Sequence, residues 1–192
     1  MDDRTLYERC RDGDELAWEA LVVRFQARVC SVAFGYTGSE EEALDVAQEV
    51  FVRIWRRLDS CRDPDRLAAW VLSIARNACL DHLRRRKARP PAQDVPAEEL
   101  GGLADPRGDR ADQDLVRDEQ RDILEQALQE LTPINREAIL LKDIQELSLE
   151  DMAEMLELPV GTVKSRCSRA RVELARVVGR LIGPGPGAEA TS

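Results

Sequence analysis

A single histidine in 192 residues, His82, gives this chain almost nothing from which to build a metal centre. The five cysteines, Cys10, Cys30, Cys61, Cys79 and Cys167, are odd in number, widely spread and never in Cys-x-x-Cys spacing. That pattern excludes a disulfide framework. Cys30, Cys79 and Cys167 fall on apolar helical faces and read as small core residues. Neither a Ser/His/Asp arrangement nor a glycine-rich phosphate loop is present, so neither enzymatic activity nor a cofactor is expected. Apolar runs of about eighteen residues are missing too, and Met1-Asp-Asp-Arg4 is not a signal sequence. A soluble, cytoplasmic protein is expected.

What the chain does have is charge, on 34% of its residues, and that charge is unevenly placed. The net value is −9, yet residues 53–90 carry 11 basic and 4 acidic side chains, and residues 159–180 carry 6 and 1. The remaining segments are acidic, at −7 over 1–52, −8 over 91–131 and −5 over 132–158. Two basic islands in an acidic chain can neutralise phosphates locally, while long-range repulsion weakens free-standing binding to DNA. Such a protein needs something else to hold it there.

The second island lies in a run with strong local punctuation. Ser148 and Asp151 open a helix with a capping box, and Leu149, Met152, Ala153 and Leu156 repeat at helical spacing. Leu158-Pro159 interrupts it, because proline is tolerated only in a first turn and restricts the residue before it. A second helix is predicted from Pro159 or Val160. On it Val163, Cys167, Ala170 and Leu174 share one side, with Lys164, Ser165, Ser168 and Arg169 on the other. A small, polar, basic face on a helix about 10–12 Å across fits the major groove, about 12 Å wide. This is a helix-turn-helix pattern.

Upstream, Asp12-Gly13-Asp14 caps a helix predicted to reach about Phe34, and Gly35 to Gly38 reads as a turn. Ser39 and Glu42 start a further helix to Leu58, whose polar surface divides into an acidic patch, Asp45, Gln48 and Glu49, and a basic last turn, Arg53, Arg56 and Arg57. Asp63 and Pro64 open the next helix, which ends in the arginine run Arg84 to Arg89, a phosphate-contacting patch. His82 just ahead of that run reads as a surface or nucleic-acid-facing residue. Trp18, Trp55 and Trp70, one per helix, read as core anchors. Residues 90–113 are acidic, rich in Pro and Gly and without periodicity, hence a flexible linker. Helices from Asp114 and from Thr132-Pro133 are expected to close a four-helix unit with the helix-turn-helix, with Ile134, Ala138, Ile139 and Leu141 inward. Residues 183–192 read as a disordered tail.

Taken together, Asp45 to Trp55, Trp70 to Arg86 and above all Pro159 to Arg171 resemble an extracytoplasmic-function sigma factor, of group 4 of the sigma-70 family. The resemblance implies an all-α fold of two small helical domains, domain 2 over 10–89 and domain 4 over 114–182, joined by the acidic linker. It implies that Asp45, Gln48 and Glu49 bind core RNA polymerase, and that Arg62, Asp63, Arg66, Trp70, Arg76, Asn77, Arg84, Arg85 and Arg86 handle minus-10 DNA. Lys164, Ser165, Ser168 and Arg169 would read the minus-35 duplex, with Arg166 and Arg171 on flanking phosphates. Cys167 and Ser168 stand where members often have larger side chains. A dedicated anti-sigma factor is a further implied partner, and no small-molecule substrate is. Tethering both islands to one polymerase makes the second contact intramolecular, which answers the charge problem.

The competing reading is a free-standing regulator with a LuxR-like output domain, which shares Thr132-Pro133 and the Thr-Val-Lys run. It needs a sensor domain with alternating strands and helices, whereas residues 1–90 show helical patterning throughout. A pure protein-interaction module would explain the helices but not the outward Lys164, Ser165, Ser168 and Arg169 face.

Overall fold

The computed structural model describes residues 1–88 and 111–183, with side chains in the second stretch described from 120 onward. The predicted linker lies outside the described residues except for its last three positions, which begin a helix, and the predicted tail lies outside them except for Gly183.

All regular structure among the described residues is helical. Helix α1 spans Asp3–Arg11, α2 Glu15–Thr37, α3 Glu40–Arg57 and α4 Leu67–Ala88. Helix α5 spans Ala111–Glu130, α6 Pro133–Ile139, α7 Leu149–Leu156 and α8 Val160–Ile182. The caps explain most boundaries. The Asp14 carboxylate accepts from the amides of Leu16 (3.0 Å) and Ala17 (3.3 Å), the Ser39 hydroxyl from Glu42, and the Ser148 hydroxyl from Asp151 (2.9 Å). Helix α1 was not foreseen, although its buried Leu6, Tyr7 and Cys10 extend the first unit upstream of residue 10.

Helices α1 to α4 form that first unit around Leu21, Phe25, Val50, Ile54, Leu67 and Leu72, each at most 1% exposed. In the second, α6, α7 and α8 pack around Ile139, Leu141, Met152 and Val163, each at most 2% exposed, with α5 across α8. The two units also touch: α2 packs on α5, α6 and the turn that follows α6.

Several expectations change. Helix α2 runs on through the predicted turn to Thr37, and only Gly38, at φ 70°, makes it. Gly35 is instead a buried helical residue facing the second unit, where a Cβ would lie 2.5 Å from both methyls of Leu140. Trp55 is 66% exposed and is no core anchor, while Trp18 and Trp70 are half-buried. Ile134, expected inward, is 56% exposed. Cys10 and Cys61 join Cys79 and Cys167 in the interior, whereas Cys30 is only half-buried. Burial pushes the Cys79 thiol up to about 12 and the Cys10 thiol up to about 11, so both stay protonated at neutral pH.

After α6 the chain widens into a single π-helical turn over Leu140–Ile144, in which the Gln145 amide donates to the Leu140 carbonyl at 2.9 Å. The turn between α7 and α8 is a Schellman motif, with the Leu158 amide donating to the Ala153 carbonyl (3.0 Å) and Glu157 in the left-handed region at φ 54°. A side chain there costs energy that glycine avoids. Glu157→Gly is expected to stabilise the chain by about 0.5–1 kcal/mol, seen as a higher urea midpoint at unchanged slope.

Candidate nucleic-acid and polymerase interfaces

Helix α8 presents the face its sequence predicts. Val163, Cys167 and Ala170 are buried, each at most 4% exposed, and Lys164, Ser165, Ser168 and Arg169 are exposed on the opposite side. The side chains of Ser165 and Arg169 bond along their own helix, Ser165 Oγ to the Thr162 carbonyl (2.9 Å) and Arg169 Nε to the Ser165 carbonyl (3.3 Å). The flanking arginines differ. Arg171 forks onto Asp143, with Nη2 to Oδ1 at 2.6 Å, and the half-buried Arg166 lies 3.7 Å from Glu137. Helix α7 is braced beneath by Ser148, whose hydroxyl also donates to Asp151 Oδ2 at 2.6 Å. Thr132 stands at the N-cap of α6 without a side-chain cap bond, and Glu173 of α8 reaches over instead, accepting from the Thr132 amide (3.2 Å) and from the Asn135 side chain.

The nine residues assigned to minus-10 DNA fall into distinct groups. Arg62 is exposed in the loop before α4, and Trp70, Asn77 and Arg84, seven residues apart, share one face of that helix. Asp63 caps the short turn over Pro64–Arg66, accepting from the Asp65 amide at 3.2 Å. Arg85 and Arg86 lie back across α3: Arg85 Nη2 bonds Glu49 Oε2 at 2.7 Å and Arg86 Nη1 bonds Glu42 Oε2 at 3.0 Å. Arg66 and Arg76 turn to the second unit. Arg66 pairs with Asp151 and with Glu154 (2.7 Å), and Arg76 Nε donates to Glu137 Oε1 at 2.8 Å. His82, read as nucleic-acid-facing, is half-buried, with Nε2 2.8 Å from Glu42 Oε2. Cys61, next to Arg62 in the loop that leads to α4, is a packing residue at 4% exposure.

On α3 the acidic patch is divided. Asp45 and Gln48 are exposed, but Glu49 is drawn sideways onto Arg85 and onto Arg53, which also donates to Asp81 at 2.9 Å. The Arg85 hydrogen bond, then that of Arg53, holds the Glu49 carboxyl below the usual carboxylate range against burial. For Glu42 burial pushes upward, and the hydrogen bonds from His82 and Arg86 outweigh it. The face that remains open runs Asp45, Gln48, Val52, Trp55, at steps of three and four, with Val52 47% and Trp55 66% exposed. The sequence reading missed these two apolar positions. Counting around the helix could have found them, because Trp55 sits about 100° beyond buried Ile54.

Among the described residues no group of three His, Cys, Asp or Glu could hold a metal ion, and no helix is long and apolar enough to cross a membrane.

The family model for sigma-70 region 2 matches residues 21–89, and that for sigma-70 region 4 matches residues 121–174. The chain is 34% identical over 187 residues to the RNA polymerase sigma-H factor of Pseudomonas aeruginosa, covering 94% of this chain and 95% of the relative. It is 35% identical over 186 residues to the ECF RNA polymerase sigma-E factor of Escherichia coli, covering 95% and 97%. Among solved structures, CnrH in complex with the cytosolic domain of CnrY aligns at TM-score 0.67 and 27% identity over 93% of this chain and 97% of that one. The sigma factor RpoE of Bartonella quintana, in complex with the anti-sigma factor NepR, aligns at 0.63 and 25% over 83% and 95%.

Proposed function

This chain belongs to the sigma-70 family, in its extracytoplasmic-function class of RNA polymerase sigma factors, and from that premise we propose how its faces divide the work. As a sigma factor it binds core RNA polymerase and directs initiation at its own promoters. The unit over 10–89 acts as domain 2 and the unit over 114–182 as domain 4. Asp45, Gln48, Val52 and Trp55 dock on the polymerase, with Glu49 holding Arg85 rather than reaching out. Arg62, Trp70, Asn77 and Arg84 form the stripe that meets the opened minus-10 strand, and Lys164, Ser165, Ser168 and Arg169 read the minus-35 major groove. Nucleotide addition belongs to the polymerase, and the chain contributes recognition alone, in the cytoplasm. An anti-sigma factor is its regulatory partner, as NepR is in the solved RpoE complex.

The observation that carries this reading is that one chain exposes an acidic-apolar face on α3 and basic faces on both α4 and α8. A DNA-only regulator has no use for the first. The sigma-70 region 2 match over 21–89 also takes the place where a free-standing LuxR-like regulator needs its sensor.

Run-off transcription from a promoter library tests it. Purified core polymerase is expected to initiate selectively only when this protein is added, with two sequence elements enriched among the transcribed promoters. No new transcripts with core, together with a shift of duplex DNA by the protein alone, would establish the free-standing regulator instead.

A further inference from the structure

Along the outward side of α8 the residues Gly161, Ser165, Ser168, Val172, Ala175 and Gly179 follow one another at steps of four and three, which keeps them on one line. All six are exposed. Five are small, and a Cβ at Gly161 or Gly179 would meet nothing within 4 Å, so the line is bare except at one point. That point is Val172, 59% exposed and nine residues, about two and a half turns, beyond the fully buried Val163. It stands directly opposite the core. Single exposed apolar residues are ordinary on protein surfaces, but the surroundings of Val172 are not those of a solvated face. Of the five arginines of α8, Arg166, Arg171 and Arg180 are tied to Glu137, Asp143 and Glu130 of other elements. Arg169 and Arg176, without such a tie among the described residues, flank Val172 on the exposed side. The single acidic residue of the helix, Glu173, is turned onto Thr132 and Asn135. Ser168, Arg169, Val172, Glu173 and Arg176 together border a recess of about 310 Å³. Helical side chains lean toward the N-terminus, so the isopropyl group of Val172 lies over Ser168, which is too small to cover it.

An apolar wall between two cations suits one feature of the major groove. The edge of thymine presents a 5-methyl group beside its O4 acceptor, and the other three bases present only polar groups there. We propose that Val172 is a specificity-determining residue of the minus-35 helix, packing its isopropyl group on the 5-methyl of a thymine. This rests on the reading of α8 as the helix that enters the minus-35 groove. Along the helix axis Arg169 lies about 4.5 Å before Val172 and Arg176 about 6 Å after it. With base pairs about 3.4 Å apart, the thymine stands one or two base pairs from the base that Arg169 reads, and Arg176 reaches a phosphate beyond it. The line of glycine, serine and alanine lets the helix come close enough for a side chain as short as valine to touch a base edge.

Removing a single methyl group from the DNA tests this. Duplexes randomised over the minus-35 element are selected with the holoenzyme, assembled from the full chain and core polymerase, and are expected to enrich thymine at one position beside the base that Arg169 reads. Replacing that thymine by deoxyuridine takes away the methyl alone and is expected to weaken binding about fourfold, the value of one buried methyl. Val172→Ala is expected to bind the two duplexes equally and to keep the base preference set by Arg169. Its site is exposed and alanine favours the helix, so the variant folds. Arg169→Ala is expected to do the reverse, losing its own preference and keeping the difference between thymine and deoxyuridine. Wild-type protein that binds thymine and deoxyuridine equally at every position would overturn the proposal, as would a Val172→Ala variant that keeps the difference. A Val172→Ala variant that keeps the difference and loses affinity for core polymerase would make the line a protein-docking face instead. If the wild type gives no core-dependent transcription, the sigma reading fails. The same thymine and deoxyuridine duplexes, selected and compared by fluorescence anisotropy with the full chain alone, then still decide whether Val172 reads the methyl group.

Discussion

Trp55→Ala is expected to weaken binding to core RNA polymerase by roughly 30- to 700-fold while leaving the stability of the free chain within about 0.5 kcal/mol. The two halves of that result come from one number. At 66% exposure the indole contributes little to the fold, so its removal leaves no cavity. A buried tryptophan would cost about 3–5 kcal/mol on the same substitution. Exposed at the end of the stripe Asp45, Gln48, Val52, Trp55, it has instead the character of an interface anchor, apolar and large, with hydrogen-bonding groups at its margin. Removing an anchor of this kind costs an interface about 2–4 kcal/mol. Titration of fluorescently labelled protein with core polymerase, beside a thermal melt of each variant alone, measures both. A destabilised variant that binds polymerase normally would return Trp55 to the core and leave the proposed face without its anchor.

That tryptophan also marks where the sequence stops being a guide. The helical period of Ala43, Val46, Ala47, Val50 and Ile54 fits the α3 core, and all five are buried, while Phe51 on the same period is half-buried. It errs at Trp55 because a large apolar side chain adjacent to a core position is assigned inward by its chemistry, although 100° of helical rotation puts it outside. Caps were legible for a different reason: Asp14, Ser39 and Ser148 act on amides two or three residues away, so the interaction is contained in the local sequence. By the same logic the outward face of α8 followed from four residues on one turn and a half. What could not be read were contacts across long separations. The Arg76 to Glu137 pair joins residues 61 apart, and Arg66 to Asp151 joins residues 85 apart. Side-chain charge announces that such a residue will find a partner but not whether that partner is phosphate or carboxylate. Nine minus-10 candidates thus look equivalent as letters and separate in space into an outward stripe, in which Arg84 lies 3.4 Å from Asp81, and cap, α3-paired and cross-unit groups.

The basic end of α4 shows how these groups interlock. Glu49 was read as a polymerase contact and Arg85 as a DNA contact, and the structure bonds them to each other at 2.7 Å. Glu42, His82 and Arg86 repeat the arrangement one helical turn and more away. Glu42 and Glu49 of α3 therefore fix the direction of the arginine run, so the acidic 1–52 segment and the basic 53–90 segment meet at this junction. Exposed pairs of this kind each contribute at most about 1 kcal/mol, so they orient more than they stabilise.

On α8 the same distinction between tied and untied arginines separates sequence reading from simple attraction. Arg169→Ala is expected to cost about 1–3 kcal/mol, roughly 5- to 140-fold, at one base pair of the minus-35 element and to relax the preference there. Arg171→Ala is expected to weaken all promoters alike and to lower the salt slope of binding by about 1. Arg171 is committed to Asp143 through two nitrogens, which turns it along the protein surface toward the edge of the groove. Among the described residues Arg169 makes a single 3.3 Å contact, from Nε to the Ser165 carbonyl, which steadies the stem and leaves the fork of Nη1 and Nη2 for a base edge. That fork matches the O6 and N7 acceptors of guanine, and the small Ser165 and Ser168 beside it let the helix approach closely enough for both bonds. Competition binding of the holoenzyme to duplexes randomised over the minus-35 element measures the two arginines together. If Arg169→Ala lowers every sequence equally, its guanidinium touches phosphate and specificity passes to Lys164, the other exposed cation of that face.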